Sequence, residues 1–366
     1  MELSVVIPCL NESETVGICI EKAKKEIRKL NIDAEIIISD NGSTDGSIEI
    51  SKKLNVNVIS CKEKGYGSAV INGINNSKGK YILIADADDS YNFEDLPIFY
   101  NKIIEGYDLV QGCRMPSGGG KIEKGAMPIS HRLIGNPMFS IMGKIFFSLS
   151  FNDVYCGMKI IRKDFFKNAN FFSKGMVFCL EILIKSKFLK AKVTEIPITL
   201  FKDGRNNAKS HLKTVSDGLK TLKFILICCP KWLYFIPSLI FLFLIPIIFF
   251  YRKSFYNLQD TELVFMQLML FFLSFQFFML GLFTSLRARG LGLYNRPWLD
   301  NFFKIFNLKV AILSSGILIL TSLILYFFNI EVYSEGIDFI LINFILFFSI
   351  NLIANALVVS LLSLDK

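Results

Sequence analysis

The sequence has few of the residues that build histidine-rich metal sites and disulfide frameworks. It contains two histidines in 366 residues, which excludes a metal centre that needs several imidazole ligands. Its eight cysteines form no Cys-x-x-Cys pair. We interpret them as small apolar residues in a reducing compartment. The sequence therefore indicates neither zinc chemistry nor a disulfide-stabilised secreted fold.

Two further features are lacking. The formal net charge is +9, yet no basic stretch is interleaved with aromatic residues and no nucleic-acid-reading motif occurs. We therefore expect no nucleic-acid partner. The N-terminal MELSVVIPCLNE lacks the basic start and long apolar run of a secretory signal, and we interpret it as a strand.

The C-terminal third has few charged residues and is dominated by Phe, Leu and Ile. Four apolar runs there approach or exceed the ~20 residues that cross a bilayer as a helix. They lie at about 232–250, 263–286, 310–328 and 337–362. We therefore predict a membrane domain over 232–366 with four transmembrane helices. The alternative, buried helices of a soluble protein, lacks a partner domain large enough to cover them.

Charges between the apolar runs predict how the protein lies in the membrane. The connection between the second and third runs is basic, with Arg287, Arg289, Arg296, Lys304 and Lys309. The next connection is acidic, with Glu331, Glu335 and Asp338. The positive-inside rule then puts the N-terminal domain, the basic loop and the C-terminus in the cytoplasm. We therefore predict a multi-pass protein of the inner (plasma) membrane with a cytoplasmic catalytic domain. Arg252 and Lys253, in the first external loop, oppose this weakly.

The N-terminal part has the pattern of a soluble α/β domain. Residues 3–112 alternate strand and helix patterns, beginning with the strand Leu3–Ile7 and the helix Thr15–Leu30. Such alternation predicts a Rossmann-like, mostly parallel sheet with helices on both faces. We expect this domain to extend over 1–201. A basic juxtamembrane segment, 202–231, would then face an anionic leaflet, unless it is a solvated basic surface.

Polar turns follow the first three strands. Ligands in such sheets bind beyond the carboxyl ends of the strands. Asp40 could accept a hydrogen bond from a base or ribose there, and Gly65 and Gly67 would let a phosphate approach a helix N-terminus closely. Capping and turn formation are the alternative for each of these turns, although they explain Asp40 less well. The residues singled out in them are Pro8, Asn11, Glu12, Asp40, Gly65 and Gly67.

The strongest pattern is Asp86-Ala87-Asp88-Asp89, directly after the apolar strand Tyr81–Ala85. Strand alternation directs Asp86 and Asp88 to the same side, where two carboxylates repel unless a divalent cation lies between them. Oxygen ligands suit Mg²⁺ or Mn²⁺, with pyrophosphate oxygens completing the shell. Such a metal would neutralise the charge that builds on a departing nucleoside diphosphate.

The order VIPCLNE, SDNGSTDGS, KGYGSAV and ADADDSY resembles glycosyltransferase family 2, which has the GT-A fold. The resemblance implies that Asp86 and Asp88 hold the metal that bridges the sugar-nucleotide diphosphate. It also implies that the contacts to base and ribose lie near Pro8, Asn11, Glu12 and Asp40. A UDP-linked and a GDP-linked sugar fit these patterns equally.

The stretch DLVQGCR that ends at Arg114, with GAMP at 125–128 and DGR at 203–205, resembles polyprenyl-phosphate glycosyltransferases of the dolichol-phosphate mannose and glucose synthase type. The resemblance covers residues 1 to about 235. This resemblance implies that Arg114 binds the acceptor phosphate. Arg132 and Arg205 are further candidates, because a guanidinium group fits phosphate oxygens. Tyr155 and Lys159 depart from the pattern, which has His and Arg at these places.

Other residues in this region keep two interpretations. His131 could support the phosphate grip of its neighbour Arg132. Asp89 and Glu181 could orient the donor sugar or the acceptor, or could be structural hydrogen-bond partners. The apolar segment Pro137–Ser150 could be a helix in the membrane interface or a buried core helix.

Together these patterns predict metal-dependent, inverting transfer of a sugar to undecaprenyl or dolichyl phosphate at the cytoplasmic membrane face. The residues expected to carry it are Asp88, Asp89, Arg114 and Arg132. A processive polysaccharide synthase is one alternative, but it would carry a Q-x-x-R-W element, and Gln111–Met115 lacks the Trp. A non-catalytic lipid-handling membrane protein is the other alternative. Charged residues within the spans would favour it, but the spans hold hardly any. A homo-oligomer is compatible with either.

Overall fold

The computed structural model describes residues 1–205, 214–250, 260–293, 298–299, 301–302, 308–329 and 336–364. The chain divides into two compact units, Met1–Phe224 and Ile225–Lys366. The basic segment predicted at 202–231 lies only partly within the described residues. Several charged residues used to predict the orientation lie outside them, namely Arg252, Lys253, Arg296, Lys304, Glu331 and Glu335.

The first unit is built on a seven-stranded sheet in the order β3-β2-β1-β4-β7-β5-β8. Its strands are β1 Leu3–Cys9, β2 Ala34–Asp40, β3 Asn57–Ser60, β4 Tyr81–Ile84, β5 Leu109–Cys113, β7 Lys159–Arg162 and β8 Val193–Pro197. Two short strands, β6 Lys121–Ile122 and β9 Thr199–Leu200, pair separately. All neighbours in the large sheet are parallel except β7, which is antiparallel to β4 and β5.

The single antiparallel strand has a topological reason. The chain leaves β5 at the carboxyl edge of the sheet and returns there, where Gly157 packs on the carboxylate of Asp86. Strand β7 therefore enters the sheet from the edge at which β4 and β5 end. The predicted mostly parallel sheet is confirmed, with this strand as the exception.

Among the described residues, eight α-helices accompany the sheet. They are α1 Val16–Leu30, α2 Ser47–Lys53, α3 Tyr66–Asn75, α4 Leu96–Ile104, α5 Asn136–Phe147, α6 Lys163–Ala169, α7 Phe178–Phe188 and α8 Thr214–Cys228. Every residue of β1 is buried, as expected for a strand covered on both faces. Helix α1 has an apolar face at helical spacing, with Val16, Ile20 and Ala23 buried in the same core.

The described part of the second unit contains four long apolar helices, as the sequence predicts. They are α9 Ile236–Phe250, α10 Asp260–Gly290, α11 Leu308–Asn329 and α12 Gly336–Leu364. Each contributes to a stretch long and apolar enough to cross a membrane. Ser238 on α9 and Ser274 on α10 each donate a hydrogen bond of 2.8 Å to the other's backbone carbonyl. Such small polar residues allow close helix packing in lipid.

Candidate active site

Asp86 lies just beyond the carboxyl end of β4, the strand next to the central β1. The residue is half-buried, but its Oδ1 is enclosed, and no hydrogen bond reaches that oxygen within the described part of the chain. Gly157 packs so closely that a Cβ there would overlap the Asp86 carboxylate. Burial, and then the charge of Asp88, raise the pKa of Asp86 above its usual range. A buried carboxylate oxygen without a donor is costly, and a bound cation would remove that cost.

Asp88 offers a second carboxylate at the same place. Its Oδ1 accepts hydrogen bonds from the backbone and hydroxyl of Ser90, at 3.1 and 2.6 Å. Its Oδ2 lies 3.6 Å from the guanidinium of Arg205. The described residues contain no group of three or more His, Cys, Asp or Glu side chains that could hold a metal. A cation bound by Asp86 and Asp88 would therefore take its remaining ligands from substrate or water.

Asp89 points elsewhere. Its backbone has a left-handed φ of 59°, and its carboxylate forms an ion pair with Lys22 of α1, with N–O distances of 2.7 and 2.9 Å. This contact is structural. The ion pair with Lys22 is sufficient to account for Asp89, and its catalytic role remains a prediction.

The turns after β1 and β2 hold each other. Asp40 is buried, and its carboxylate accepts from the backbone of Gly42 and Ser43 at 2.9 and 3.1 Å. Asn11 Oδ1 accepts from the backbone of Thr44 at 2.8 Å, and Ser43 Oγ accepts from the backbone of Asn11 at 2.9 Å. The side-chain oxygens of Asp40 and Asn11 thus accept backbone hydrogen bonds that stabilise the turns, and this structural role alone accounts for both residues. Pro8, another predicted donor-binding residue, is buried inside β1.

Gly65 and Gly67 at the start of α3 are covered by the chain itself. A Cβ on Gly65 would overlap the carbonyl of Lys174, and one on Gly67 would overlap the carbonyl of Ser173. The backbone N–H of Ser68 donates to the Lys174 carbonyl at 3.0 Å. The close approach that these glycines permit is therefore to residues 173–175. Their predicted contact with a phosphate remains a prediction.

Arg114 is held in a buried ion pair. Its Nε and Nη2 donate to the two carboxylate oxygens of Asp153 at 2.7 and 2.9 Å, and its backbone N–H donates to Asp153 at 3.0 Å. Its Nη1 donates to the hydroxyl of Tyr91 at 3.3 Å. Burial alone would raise the pKa of Asp153, but the charge and hydrogen bonds of Arg114 outweigh it and lower that pKa. Most donors of the predicted phosphate ligand are thus already bonded within the protein.

Arg205 lies beside Glu12 and Asp88. Its guanidinium forms a two-point ion pair with the buried carboxylate of Glu12 and also faces Asp88. The neighbouring Gly204 donates its backbone N–H to the Asp88 carbonyl at 2.9 Å. The sequence predicts Arg205 as an acceptor-phosphate ligand, whereas its contacts join a predicted donor-binding residue to a predicted metal ligand.

Arg132 differs from the other two arginines. It lies in a turn of π-helix, His131–Gly135, that leads into α5. Its side chain is exposed, and among the described residues it has no recorded ion pair. The adjacent His131 shares a hydrogen bond of 2.9 Å with Thr214 Oγ1 of α8. Arg132 is therefore the candidate whose guanidinium is available to a ligand.

Glu195 and Lys159 have contacts or surroundings that the sequence does not predict. Glu195 of β8 accepts from the backbone of Asn152 and Asp153 at 3.0 Å and so fixes the loop that holds Arg114. Lys159 in β7 is fully buried, and its Nζ has no hydrogen-bond partner within the described part of the chain. Its charge acts on Asp86. In the sequence, Lys159 stands out only as a departure from the family pattern, which does not predict its burial near Asp86.

Glu181, the other residue with two interpretations, has a structural environment. It is fully buried in α7 and forms an ion pair of 2.8 Å with Lys185. Its carboxylate also accepts from the backbone of Phe172 and Ser173, at 3.2 and 2.8 Å. Glu181 therefore shapes the segment that covers Gly65 and Gly67.

Comparisons with known proteins bear on the family and the fold of the chain. Residues 4–169 match the model of glycosyl transferase family 2. The chain is 31% identical over 237 residues to the low-salt glycan biosynthesis hexosyltransferase Agl6 of Haloferax volcanii, covering 64% of this chain and 56% of that protein. It is 31% identical over 227 residues to the dolichol-phosphate mannosyltransferase of Pyrococcus furiosus, covering 60% and 62%. The chain thus spans about three fifths of the length of these relatives.

A solved structure shows the same fold. The glucosyl-3-phosphoglycerate synthase of Mycobacterium tuberculosis, crystallised with Mn²⁺, UDP and glucosyl-3-phosphoglycerate, superposes with a TM-score of 0.50 at 17% identity. The match covers 62% of this chain and 80% of that one. The expected GT-A-like fold of the first unit is therefore confirmed. The sequence match to glycosyl transferase family 2 covers residues 4–169, which lie within this unit.

Proposed function

We propose that this protein transfers one sugar from a nucleoside diphosphate sugar to a polyprenyl monophosphate, undecaprenyl or dolichyl phosphate, at the cytoplasmic membrane face. The observation that carries the proposal is the pair Asp86 and Asp88 at the carboxyl edge of the sheet, where the buried Oδ1 of Asp86 forms no hydrogen bond among the residues that the structure describes. The relatives support the acceptor class, since one of them is named a dolichol-phosphate mannosyltransferase. The four apolar helices supply the membrane location that such a lipid requires.

The donor would lie at the turns after β1, β2 and β4. Asp86 and Asp88 would hold Mg²⁺ or Mn²⁺, an expectation supported by the Mn²⁺ and UDP in the synthase of the same fold. The bound ion would supply charge neutralisation for the diphosphate leaving group. Glu12 and Arg205 lie beside Asp88, so their ion pair borders the space that the diphosphate would enter. The base, uracil or guanine, is not determined by these contacts.

The acceptor would arrive along an exposed apolar surface. Helix α5 buries one face and leaves Met138, Ile141 and Ile145 exposed, at the i, i+3 and i+7 spacing of a single stripe. Leu133 in the preceding turn is 67% exposed. One face of this helix is therefore part of the core, and the other is an exposed apolar surface that is compatible with the membrane interface. A surface of this kind beside exposed basic residues fits the interface of an anionic membrane.

The chemistry requires little more than positioning. A lipid monophosphate is already anionic near neutral pH, so its oxygen can attack the sugar without a strong general base. In-line attack opposite the leaving diphosphate inverts the anomeric carbon. The protein would hold the two substrates in line and stabilise their charges. Arg132 is the guanidinium available for the incoming phosphate.

The role of Arg132 is tested by substitution. Arg132→Ala should lower kcat/KM for the polyprenyl phosphate about 10- to 100-fold, since a hydrogen bond to a charged group contributes about 1.5–3 kcal/mol. The effect should lie mainly in the KM for the lipid, with the KM for the donor unchanged. Initial rates with each substrate varied in turn measure both.

Arg28→Ala is the matched control, because Arg28 is an exposed arginine on α1. It should retain the rate of the unsubstituted protein. An Arg132→Ala variant with an unchanged lipid KM would exclude this arginine from acceptor binding.

A further inference from the structure

Helix α8 contacts the loop that holds Arg114, the predicted acceptor-phosphate ligand, through a tyrosine that departs from the family pattern. Tyr155 donates a hydrogen bond of 2.6 Å from its hydroxyl to Thr221 Oγ1, and Thr221 in turn donates to the carbonyl of Asp217 one turn earlier, at 2.9 Å. Thr221 is fully buried. The tyrosine hydroxyl therefore reaches the interior face of α8 and binds there.

The other end of Tyr155 belongs to the loop that holds Arg114. Its backbone N–H donates to Asp153 Oδ1 at 3.3 Å, the oxygen that also accepts from Arg114 Nη2. Its ring packs edge-on against Phe139 of α5, with ring centroids 5.6 Å apart. One side chain thus joins the Asp153 loop, α5 and α8.

The outer face of α8 is apolar and exposed. Val215 and Leu219 are 75% and 62% exposed, and Leu222 continues the same stripe at i, i+4 and i+7 spacing. Thr221 and Phe224 lie on the buried face of the helix. An outer apolar stripe next to the first predicted span is suited to a lipid surface. A shift of α8 would reach the Asp153 loop through Tyr155.

We propose that Tyr155 is a positioning residue for the lipid acceptor. Its bond to Thr221 fixes the Arg114–Asp153 loop relative to α8, and so fixes the depth at which a membrane-bound phosphate meets the site. The inference rests on the proposed function. Tyr155 does not touch the reacting atoms, so its loss should matter only for an acceptor whose depth is set by a bilayer.

The test compares two acceptors. Tyr155→Phe keeps the ring on Phe139 and removes the hydroxyl, and Thr221→Val removes the partner. Each should raise the KM for undecaprenyl phosphate in vesicles about 3- to 10-fold, the range of one hydrogen bond, with kcat and the donor KM unchanged. With a short-chain, water-soluble prenyl phosphate and detergent-solubilised protein, both variants should match the unsubstituted protein. The double variant should add nothing further, because both changes break the same bond.

Two controls separate positioning from folding. Thr221→Ser keeps the hydroxyl, so its KM for undecaprenyl phosphate should equal that of the unsubstituted protein. Tyr107→Phe removes a tyrosine hydroxyl from the segment between α4 and β5 and should have no effect. Melting temperatures of all variants show whether each is folded.

The outcomes are distinct. If the unsubstituted protein transfers sugar and Tyr155→Phe equals it on both acceptors, the positioning role is wrong. Equal losses on the long and short acceptors also overturn it, since they indicate a general structural role. If the unsubstituted protein modifies neither acceptor with any UDP- or GDP-linked sugar, the proposed function itself fails.

Discussion

Asp86→Asn should reduce sugar transfer about 1000-fold and leave the metal-free protein at least as stable. A metal ion contributes several kcal/mol of charge stabilisation to such a reaction, and each 1.36 kcal/mol is tenfold in rate. Asparagine keeps the shape of the side chain but removes the charge that would hold the cation. It also removes a buried carboxylate with an unbonded oxygen, whose desolvation destabilises the fold.

Initial rates at saturating Mn²⁺, and melting temperatures in EDTA, measure the two halves of this prediction. Asp88→Asn should lose activity similarly. Asp164→Asn, which changes an exposed aspartate on α6, should retain it. Retained activity in Asp86→Asn, or a large loss of stability without metal, would contradict the assignment of Asp86 as a metal ligand.

Asp153→Ala should destabilise the first unit by about 3–5 kcal/mol, because it leaves the Arg114 guanidinium buried without its counter-charge. The pair is almost completely enclosed, with side-chain exposures of 10% for Arg114 and 0% for Asp153. Chemical denaturation measures the loss. The double variant Arg114→Met with Asp153→Leu should recover much of the stability, since an apolar pair of similar volume avoids the desolvation cost.

Glu105→Ala is the control for this ion pair. It breaks the exposed pair between Glu105 and Lys102, and the free energy of unfolding should change by less than about 1 kcal/mol. A similarly small change for Asp153→Ala would show that the buried pair contributes little to the fold.

The same pair sets a pH dependence. The pKa of Asp153 is lower in the folded protein than its ordinary value. Its contribution to stability is therefore present above the unfolded pKa of about 3.9 and is lost as the pH falls through the lower folded pKa. Stability from this pair should be constant near neutral pH and decline only in strong acid, and Asp153→Asn should abolish that part of the decline.

Much of the architecture follows from patterns within short segments of the sequence. The apolar run Leu3–Ile7, the amphipathic pattern over Thr15–Leu30 and the four long apolar runs all depend on local periodicity, and each became the predicted element. The position of Asp86 after β4 was predictable for the same reason. Strand ends are visible in sequence, and the carboxyl edge of the sheet follows from them.

The partners of the charged residues could not be predicted in this way. Arg114 pairs with Asp153, 39 positions later, and Arg205 pairs with Glu12, 193 positions earlier. A guanidinium in sequence looks equally suited to a phosphate and to a carboxylate. Only the fold shows that Arg114 and Arg205 are bonded to protein carboxylates, whereas the third candidate, Arg132, is exposed.

The glycines before α3 illustrate the same limit. A Gly-x-Gly turn at a helix N-terminus is compatible with a phosphate or with close backbone packing. The carbonyls of Ser173 and Lys174, more than 100 residues later, occupy the space beside these glycines. The segment that makes this contact is shaped by the buried Glu181, so the two ambiguous sequence features are parts of one structural arrangement.

The most direct test of the proposed function is a transfer assay on the purified full chain in detergent. Radiolabelled UDP- and GDP-linked sugars would be offered one at a time with undecaprenyl phosphate and Mg²⁺ or Mn²⁺, and the products extracted into organic solvent. We expect one donor to give a labelled lipid that contains a single sugar, and no product in EDTA. A long water-soluble polymer would instead indicate a processive synthase. Failure of every donor to label the lipid or bind the protein would contradict the transferase assignment.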